Sequence, residues 1–183
     1  MYISDQELIE ALKSEKRRDV AFNDLVIKYQ ERLYWHIRKI VLSHDDTDDV
    51  LQNTFLKVWK NIGSFREESS LFTWLYRIAT NESLTFINQK KRHTLAPLAE
   101  ASDYLQQNLE ADEYFDGDEI QKKLQQAILT LPEKQRLVFN MRYFDEIPYQ
   151  EMSDILNTSV GALKASYHHA AKKVEEYISN LEI

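Results

Sequence analysis

One predicted helix carries acidic and apolar side chains on the same face. At about 100° per residue this face spans an arc of about 100°, and it consists of Asp45, Asp48, Asp49, Gln52, Leu56 and Trp59. An acidic rim around an apolar centre suits a basic partner helix, because charge steers the encounter and apolar area supplies affinity. Alternatively, the carboxylates only complement the helix N-terminus and Trp59 packs under a loop. Spacing alone leaves both interpretations open.

A second predicted helix carries side chains that suit a nucleic acid. Its core face consists of Leu71, Leu75, Ile78, Ala79 and Phe86. Its other face consists of Thr73, Trp74, Arg77, Asn81, Asn88, Lys91 and Arg92. Arginine and lysine contact phosphates, asparagine can form paired hydrogen bonds to a base edge, and an exposed indole stacks on an unpaired base. The indole of Trp74 equally fits a core position, where tryptophan is more common.

Two more predicted helices lie on either side of the polar turn 157–159. Pro148 can open the first, and Ser159 can cap the second, which begins at Val160. Two helices joined by a short polar turn are typical of a helix-turn-helix, although a plain helical hairpin with a polar outer face has the same pattern.

The outer face of the second helix in this pair combines small residues with basic and imidazole groups. It consists of Gly161, Ala162, Lys164, Ala165, His168, His169 and Lys172. The small residues permit close approach to a DNA groove, and the longer side chains can contact phosphates. His168 and His169 diverge by about 100° on a helix and therefore cannot share a metal ion.

The elements that position these residues are all predicted to be helical. Only three glycines and three prolines occur in 183 residues, and apolar residues recur with helical spacing along most of the chain. In the first half we expect helices near 5–17, 20–43, 46–62 and 71–91. In the second half we expect helices near 120–129 and 133–143, followed by the helix pair. Two helical domains, 1–93 and 119–183, are expected on either side of a flexible acidic linker, 94–118.

Two core stripes follow from the same periodicity. The helix with the acidic face is expected to bury Leu51, Phe55, Val58 and Ile62. The last helix is expected to bury Val160, Leu163, Tyr167, Ala170, Val174 and Ile178.

The negative charge of the chain is concentrated in the predicted linker. The net charge is −7, and residues 94–118 contain seven acidic residues and no basic residue. The flanking domains are therefore near neutral, and we expect their DNA contacts to be weak without a partner. The linker is interpreted as a solvated tether with a transient helix over 98–109, or alternatively as a mimic of nucleic acid that occupies a basic channel.

Several classes of protein are poorly supported by the composition. The chain has no cysteine, which excludes a disulfide scaffold and a thiol nucleophile. It shows no apolar signal core and no segment of about 20 apolar residues. We therefore expect a soluble cytoplasmic protein with no membrane insertion. No glycine-rich phosphate loop, nucleophile motif or metal-ligand set is apparent, so we expect no enzymatic activity, no cofactor and no metal.

Two stretches of the sequence resemble the extracytoplasmic-function (ECF) group of bacterial sigma factors. They are DDTDDVLQNTFLKVWKNIGSFREESSLFTWLYRIATN and LTLPEKQRLVFNMRYFDEIPYQEMSDILNTSVGALKASYHHAAKK. The resemblance covers roughly residues 20 to 180 and includes both domains in order. It implies a dissociable subunit of RNA polymerase, with sigma domain two before the linker and sigma domain four after it. The implied partners are core RNA polymerase and promoter DNA, with an anti-sigma factor as a further candidate.

The resemblance also implies a role for each surface. The helix from Asp45 to Trp59 would dock on the largest core subunit. The minus-ten element would be captured as a single strand by residues 64–92, and the candidates there are Arg66, Ser69, Ser70, Thr73, Trp74, Arg77, Asn81, Lys91 and Arg92. The minus-thirty-five duplex would be recognised by residues 147–173, and the candidates there are Thr158, Ser159, Ala162, Lys164, Ala165, Ser166, His168, His169 and Lys172.

The chain departs from the family pattern in its last helix. Many members have arginine at the positions of Ser166 and His169, so this helix has fewer fixed positive charges. A competing hypothesis is a two-domain regulator that binds duplex DNA through residues 147–173 and uses its first domain for oligomerisation or signalling. Copurification with core polymerase separates the two hypotheses.

Overall fold

The described part of the chain is helical throughout. A computed structural model describes residues 4–93 and 119–180, in which there are eight α-helices and one short 3-10 helix. The first half contains α1 (Asp5–Leu12), α2 (Arg18–Val41), α3 (His44–Asn61), the 3-10 helix Ile62–Ser64 and α4 (Leu71–His93). The second half contains α5 (Glu119–Leu129), α6 (Glu133–Tyr143), α7 (Tyr149–Leu156) and α8 (Val160–Ser179). The predicted all-α class is confirmed, whereas the predicted linker 94–118 and its helix over 98–109 lie outside the described residues.

Local sequence signals determine where several helices begin and end. Ser4 and Glu7 form a reciprocal capping box at the start of α1, and the Ser159 hydroxyl accepts a hydrogen bond from the Ala162 N–H at the start of α8, as predicted. Helix α1 was expected to continue to residue 17 but ends at Leu12. Helix α2 ends at Val41, and the left-handed backbone of the following cap residue Leu42 (φ 61°) turns the chain towards α3.

The first four helices form one unit around a shared core. Helices α2, α3 and α4 pack against each other, and α1 packs on α2. The buried face of α3 is rotated from the predicted stripe. Its centre consists of Val50, Thr54 and Val58, while Leu51 and Phe55 are half-buried. Burial of Thr54 is permitted because its hydroxyl donates to the Val50 carbonyl at 2.8 Å, so no polar group is left unsatisfied.

The last four helices form a second unit, in which α8 packs on α5, α6 and α7. Most of the predicted α8 stripe is buried or half-buried, but Ile178 is 39% exposed. Tyr177 packs against the core of this unit in its place. Tyr177 follows the buried Val174 by three residues and Ile178 follows it by four. Both spacings are compatible with one helical face, so periodicity could not distinguish them.

The two units are in direct contact. Leu33 and Ile37 of the first unit belong to the same buried hydrophobic cluster as Met141, Met152 and Ile155 of the second. Helix α4 packs on α7, and α2 contacts α6. The outer faces of α3 and α8 are left exposed by this arrangement.

Candidate polymerase and promoter interfaces

The acidic face predicted on α3 is present at the surface. Asp45, Asp48, Asp49 and Gln52 are exposed, and Leu56 is 50% exposed although it is a large apolar residue. Trp59, the sixth member of the predicted face, is less exposed than the other five. The ring of Trp59 is half-buried, with its centroid 4.9 Å from that of Phe22 and the Arg18 guanidinium 4.3 Å above it.

The N-terminus of α3 explains only part of this acidic face. Its cap is Ser43, whose hydroxyl accepts a hydrogen bond from the Asp46 N–H at 3.3 Å. Asp45 lies in the first turn, where a carboxylate complements the helix dipole. Asp48 and Asp49 lie beyond that turn, where the dipole effect has faded. Helix capping therefore does not account for these two exposed carboxylates.

The predicted nucleic-acid face of α4 is divided by the structure. Arg77 and Asn81 are exposed, but Thr73 is buried and Trp74 is half-buried against Phe65, with ring centroids 5.1 Å apart. The prediction that Thr73 is exposed is therefore wrong, whereas Trp74 packs against the core, which was the alternative left open for it. Lys91 and Arg92 lie in the last turn of α4, and their side chains lie outside the described residues.

The burial of Thr73 follows from how α4 begins. The Ser70 hydroxyl accepts a hydrogen bond from the Thr73 N–H at 3.0 Å and donates to Thr73 Oγ1 at 2.9 Å. Ser70 thus has the role of an N-cap and Thr73 is the third residue of the helix. The candidates that precede α4 are accessible, since Arg66 and Ser70 are exposed and Ser69 is half-buried.

The loop before α4 is fixed at its start and near its middle. Phe65 is buried at its start, and Glu67 adopts a left-handed backbone (φ 59°). The Glu67 carboxylate pairs with Lys13, which follows α1, and this hydrogen bond lowers the pKa of Glu67. The exposed side chains of the loop are therefore presented by an anchored backbone.

The helix pair α7 and α8 presents the predicted outer face. Asn157, with φ 48° and ψ 49°, ends α7 and makes the sharp turn that Ser159 follows. The exposed candidates are Thr158, Ser159, Ala162, Lys164, Ala165, His168, His169 and Lys172, while Ser166 is half-buried. The ring centroids of His168 and His169 are 5.8 Å apart.

A polar cluster between the two units was not predicted. Asp145 lies in the loop before α7, and its Oδ2 is 2.8 Å from Nδ1 of His36 on α2. The other ring nitrogen of His36, Nε2, is 2.8 Å from Oγ1 of Thr80 on α4. Lys39 pairs with the other oxygen of Asp145, and Asn140 donates to the Lys39 carbonyl at 3.1 Å. One sequence signal could have indicated this cluster. His36 follows Leu33 by three residues and therefore lies on the core face of α2.

The charge state of Asp145 is determined by its partners. Burial alone raises the pKa of this carboxyl, but the hydrogen bonds from His36 and Lys39 and the positive charge of Lys39 lower the pKa below its ordinary value. Asp145 is therefore a carboxylate at neutral pH and can only accept hydrogen bonds. It follows that His36 donates from Nδ1.

Within residues 4–93 and 119–180, no three histidine, cysteine or carboxylate side chains lie close enough to hold a metal ion. In the same residues, no helix has the length and apolar character needed to cross a membrane.

Comparison with known proteins identifies the family. The model of Sigma-70 region 2 matches residues 25–93, and that of Sigma-70 region 4 matches residues 121–174. The ECF RNA polymerase sigma factor SigW of Bacillus subtilis is 30% identical over 179 residues, which cover 93% of this chain and 96% of SigW. The chain belongs to the ECF sigma factors. The predicted resemblance is confirmed.

Other relatives match over nearly their whole length. The RNA polymerase sigma-H factor of Pseudomonas aeruginosa is 29% identical, and the match covers 97% of this chain and 95% of that protein. Among solved structures, CnrH in complex with the cytosolic domain of CnrY has a TM-score of 0.70 at 19% identity and covers 97% of this chain and 99% of CnrH. RpoE from Bartonella quintana, in complex with the anti-sigma factor NepR, has a TM-score of 0.66 at 19% identity. That match covers 88% of this chain and 98% of RpoE. These structures show that the fold is shared.

Membership of this family establishes the function at the level of the whole chain. The ECF sigma factor binds core RNA polymerase and promoter DNA and directs promoter-specific initiation of transcription. The sigma factor hypothesis is therefore confirmed over the alternative of a regulator that works without polymerase.

Proposed function

We propose that the exposed face of α3 is the polymerase-docking surface of this sigma factor. The observation that carries the assignment is the exposure of Asp48, Asp49 and Leu56 beyond the first turn of α3, where helix capping does not account for them. Exposed carboxylates beside an exposed leucine suit a basic helix with an apolar stripe. Trp59 contributes mainly by fixing α3 against Arg18 and Phe22.

The promoter contacts are assigned to two other surfaces. Residues 64–92 capture the minus-ten element as a single strand, with Arg66, Ser70, Arg77 and Asn81 among the accessible polar groups. Thr73 acts by fixing the start of α4, since its side chain is buried. Each base taken out of the duplex costs a few kcal/mol, and stacking and pocket contacts offset this cost.

Residues 147–173 recognise the minus-thirty-five duplex, with the exposed face of α8 in the major groove. This assignment is supported by the turn at Asn157 and by the exposed small residues Ala162 and Ala165 at the start of α8, which permit close approach to base edges. Lys164 and Lys172 contact phosphates.

The domain limits proposed are 1–93 for region two, 94–118 for the linker and 119–183 for region four. Both family matches fall within these limits, which supports the division. We also propose that the chain acts in the cytoplasm by binding alone, without enzymatic activity, and that an anti-sigma factor is a partner. RpoE of Bartonella quintana, which shares this fold, is bound to such a factor in its solved structure, and this supports the last point.

The direct test is transcription in vitro with core polymerase and this chain, followed by sequencing of the transcript 5′ ends. A shared pair of upstream elements in the resulting promoters is the expected result. The matched control contains the chain and DNA without polymerase, followed by footprinting of the duplex. Strong promoter protection in that control, with no transcripts in the complete reaction, would contradict the assignment.

A further inference from the structure

Glu67 has a strained backbone in the middle of the loop before α4. Its φ is 59°, in the left-handed region that glycine and asparagine favour and that a glutamate rarely adopts. It lies between Phe65, which is buried, and Ser70, which caps α4. A left-handed backbone at a residue other than glycine persists only where the surrounding contacts hold it. The contacts of the Glu67 side chain are therefore the ones to consider.

Those contacts come from the first helix of the chain. The Glu67 carboxylate pairs with Lys13, the cap residue that follows α1 and that is 54 residues away in sequence. The hydrogen bond from Lys13 lowers the pKa of Glu67, and a hydrogen bond from Gln6 of α1 lowers it further. The backbone of Lys13 is itself fixed, since its N–H donates to the Ile9 carbonyl at 3.2 Å. The middle of the loop is thus held from α1.

Helix α1 is a firm support for this contact. It packs on α2, and its buried side chains include Leu8 and Leu12. In its first turn, Asp5 pairs with Lys28 at 2.8 Å and accepts a hydrogen bond from the Tyr29 hydroxyl at 2.7 Å. Both partners belong to α2. The residue that follows α1 is therefore held at a fixed place relative to the core of the first unit.

The ion pair between Lys13 and Glu67 lies at the surface. The two side chains are 48% and 35% exposed. An exposed ion pair adds little to the stability of a fold, because water screens the charges and ordering two long side chains costs entropy. The effect of this pair is therefore local. It favours one conformation of the segment 66–69, in which the exposed Arg66 precedes Glu67 directly.

We propose that Lys13 is a positioning residue for capture of the minus-ten element. By pairing with Glu67, it holds the loop 65–70 in the conformation that presents Arg66 to the single strand. The proposal rests on the assignment of residues 64–92 to that element. When the competent conformation is populated for only a fraction of the time, the apparent affinity falls by that fraction. Loss of the pair therefore weakens capture without removing a group that contacts DNA.

The test is selection of a randomised single-stranded DNA library by the holoenzyme, followed by titration of the enriched oligonucleotide. The variants are Lys13→Ala, Glu67→Ala and their combination, each with saturating core polymerase. The matched control is Lys16→Ala, which removes the same charge from an exposed position three residues further along the chain. Circular dichroism and urea unfolding verify that each variant retains the fold and the stability of the wild type.

Both single variants are expected to bind the oligonucleotide about tenfold more weakly than the wild type, as when the competent loop is populated for about a tenth of the time. The combination should lose no more than either single variant, since both remove the same contact. The exchanged pair, Lys13→Glu with Glu67→Lys, should recover an affinity within threefold of the wild-type value. Lys16→Ala should also stay within threefold of that value.

The Glu67→Ala variant distinguishes positioning from a direct contact of Lys13 with DNA. If Lys13 only contacted a phosphate, removal of the nearby carboxylate would leave the affinity for the anionic strand unchanged or increase it. Unchanged or tighter binding by a folded Glu67→Ala variant would therefore overturn the proposal. Additive losses in the combined variant, or no recovery in the exchanged pair, would also count against it.

Arg66→Ala separates failure of this proposal from failure of the proposed function. A wild-type holoenzyme that enriches a motif and loses affinity on Arg66→Ala, but is insensitive to Lys13→Ala, overturns the positioning role alone. A wild-type holoenzyme that enriches no single-stranded motif contradicts the assignment of residues 64–92 to the minus-ten element and overturns both proposals.

Discussion

Replacing Asp49 and Gln52 together by alanine is expected to weaken binding of core RNA polymerase without unfolding the chain. Both side chains are exposed and lie three residues apart on the same face of α3. Alanine is the best helix former, so the free energy of unfolding should change by no more than about 0.5 kcal/mol. Loss of binding would therefore reflect lost contacts at the interface and not unfolding of the chain.

The magnitude follows from the contacts that the two side chains can make. A hydrogen bond to a charged partner contributes about 1–2 kcal/mol when it is partly exposed to water, and two of them contribute about 2–4 kcal/mol. This corresponds to a dissociation constant about 30-fold to 700-fold larger. Because the residues are neighbours, the double variant is expected to differ from the sum of the single variants.

The assay is competition of unlabelled chain against labelled wild type for core polymerase, at several salt concentrations. The dissociation constant of the wild type should rise more steeply with salt than that of the variant, since the variant lacks one charge. The control is the double variant Gln30→Ala and Glu31→Ala, which removes one amide and one carboxylate from exposed positions of α2. A folded double variant whose dissociation constant stays within threefold of the wild-type value would refute the docking assignment.

Three further predictions concern the second unit. Lys164→Ala should weaken promoter binding by the holoenzyme similarly on all sequences and reduce the salt slope by about one, and unchanged promoter affinity would count against a phosphate contact. Ser159→Ala should destabilise the unit by about 1 kcal/mol in urea unfolding, whereas Ser159→Asp, which can also cap, should not. The lowered pKa of Asp145 means that its contribution to the free energy of unfolding is complete above about pH 5 and is lost as the pH falls further, so Asp145→Asn should reduce the acid dependence of the free energy of unfolding; equal acid dependence in both proteins would contradict this.

Sequence patterns predicted the helices and those surfaces that depend on one helix at a time. Helical periodicity identified the exposed acidic face of α3, and the Asn157 to Ser159 turn identified the helix pair. These features are local, because a cap or an amphipathic face involves residues within one or two turns. The family motifs are contiguous stretches for the same reason.

Contacts between residues far apart in sequence follow from the packing of the helices and could not be predicted from local patterns. Asp145 and His36 are 109 residues apart, and their contact depends on how the two units pack. Periodicity likewise could not reveal that Thr73 is buried, since its hydrogen bond with Ser70 satisfies a polar side chain that the apolar pattern had placed outside. Arg77 combines a local and a tertiary feature. Its position on α4 follows from the local sequence, but its contact with the Asp154 carbonyl on α7 follows from packing.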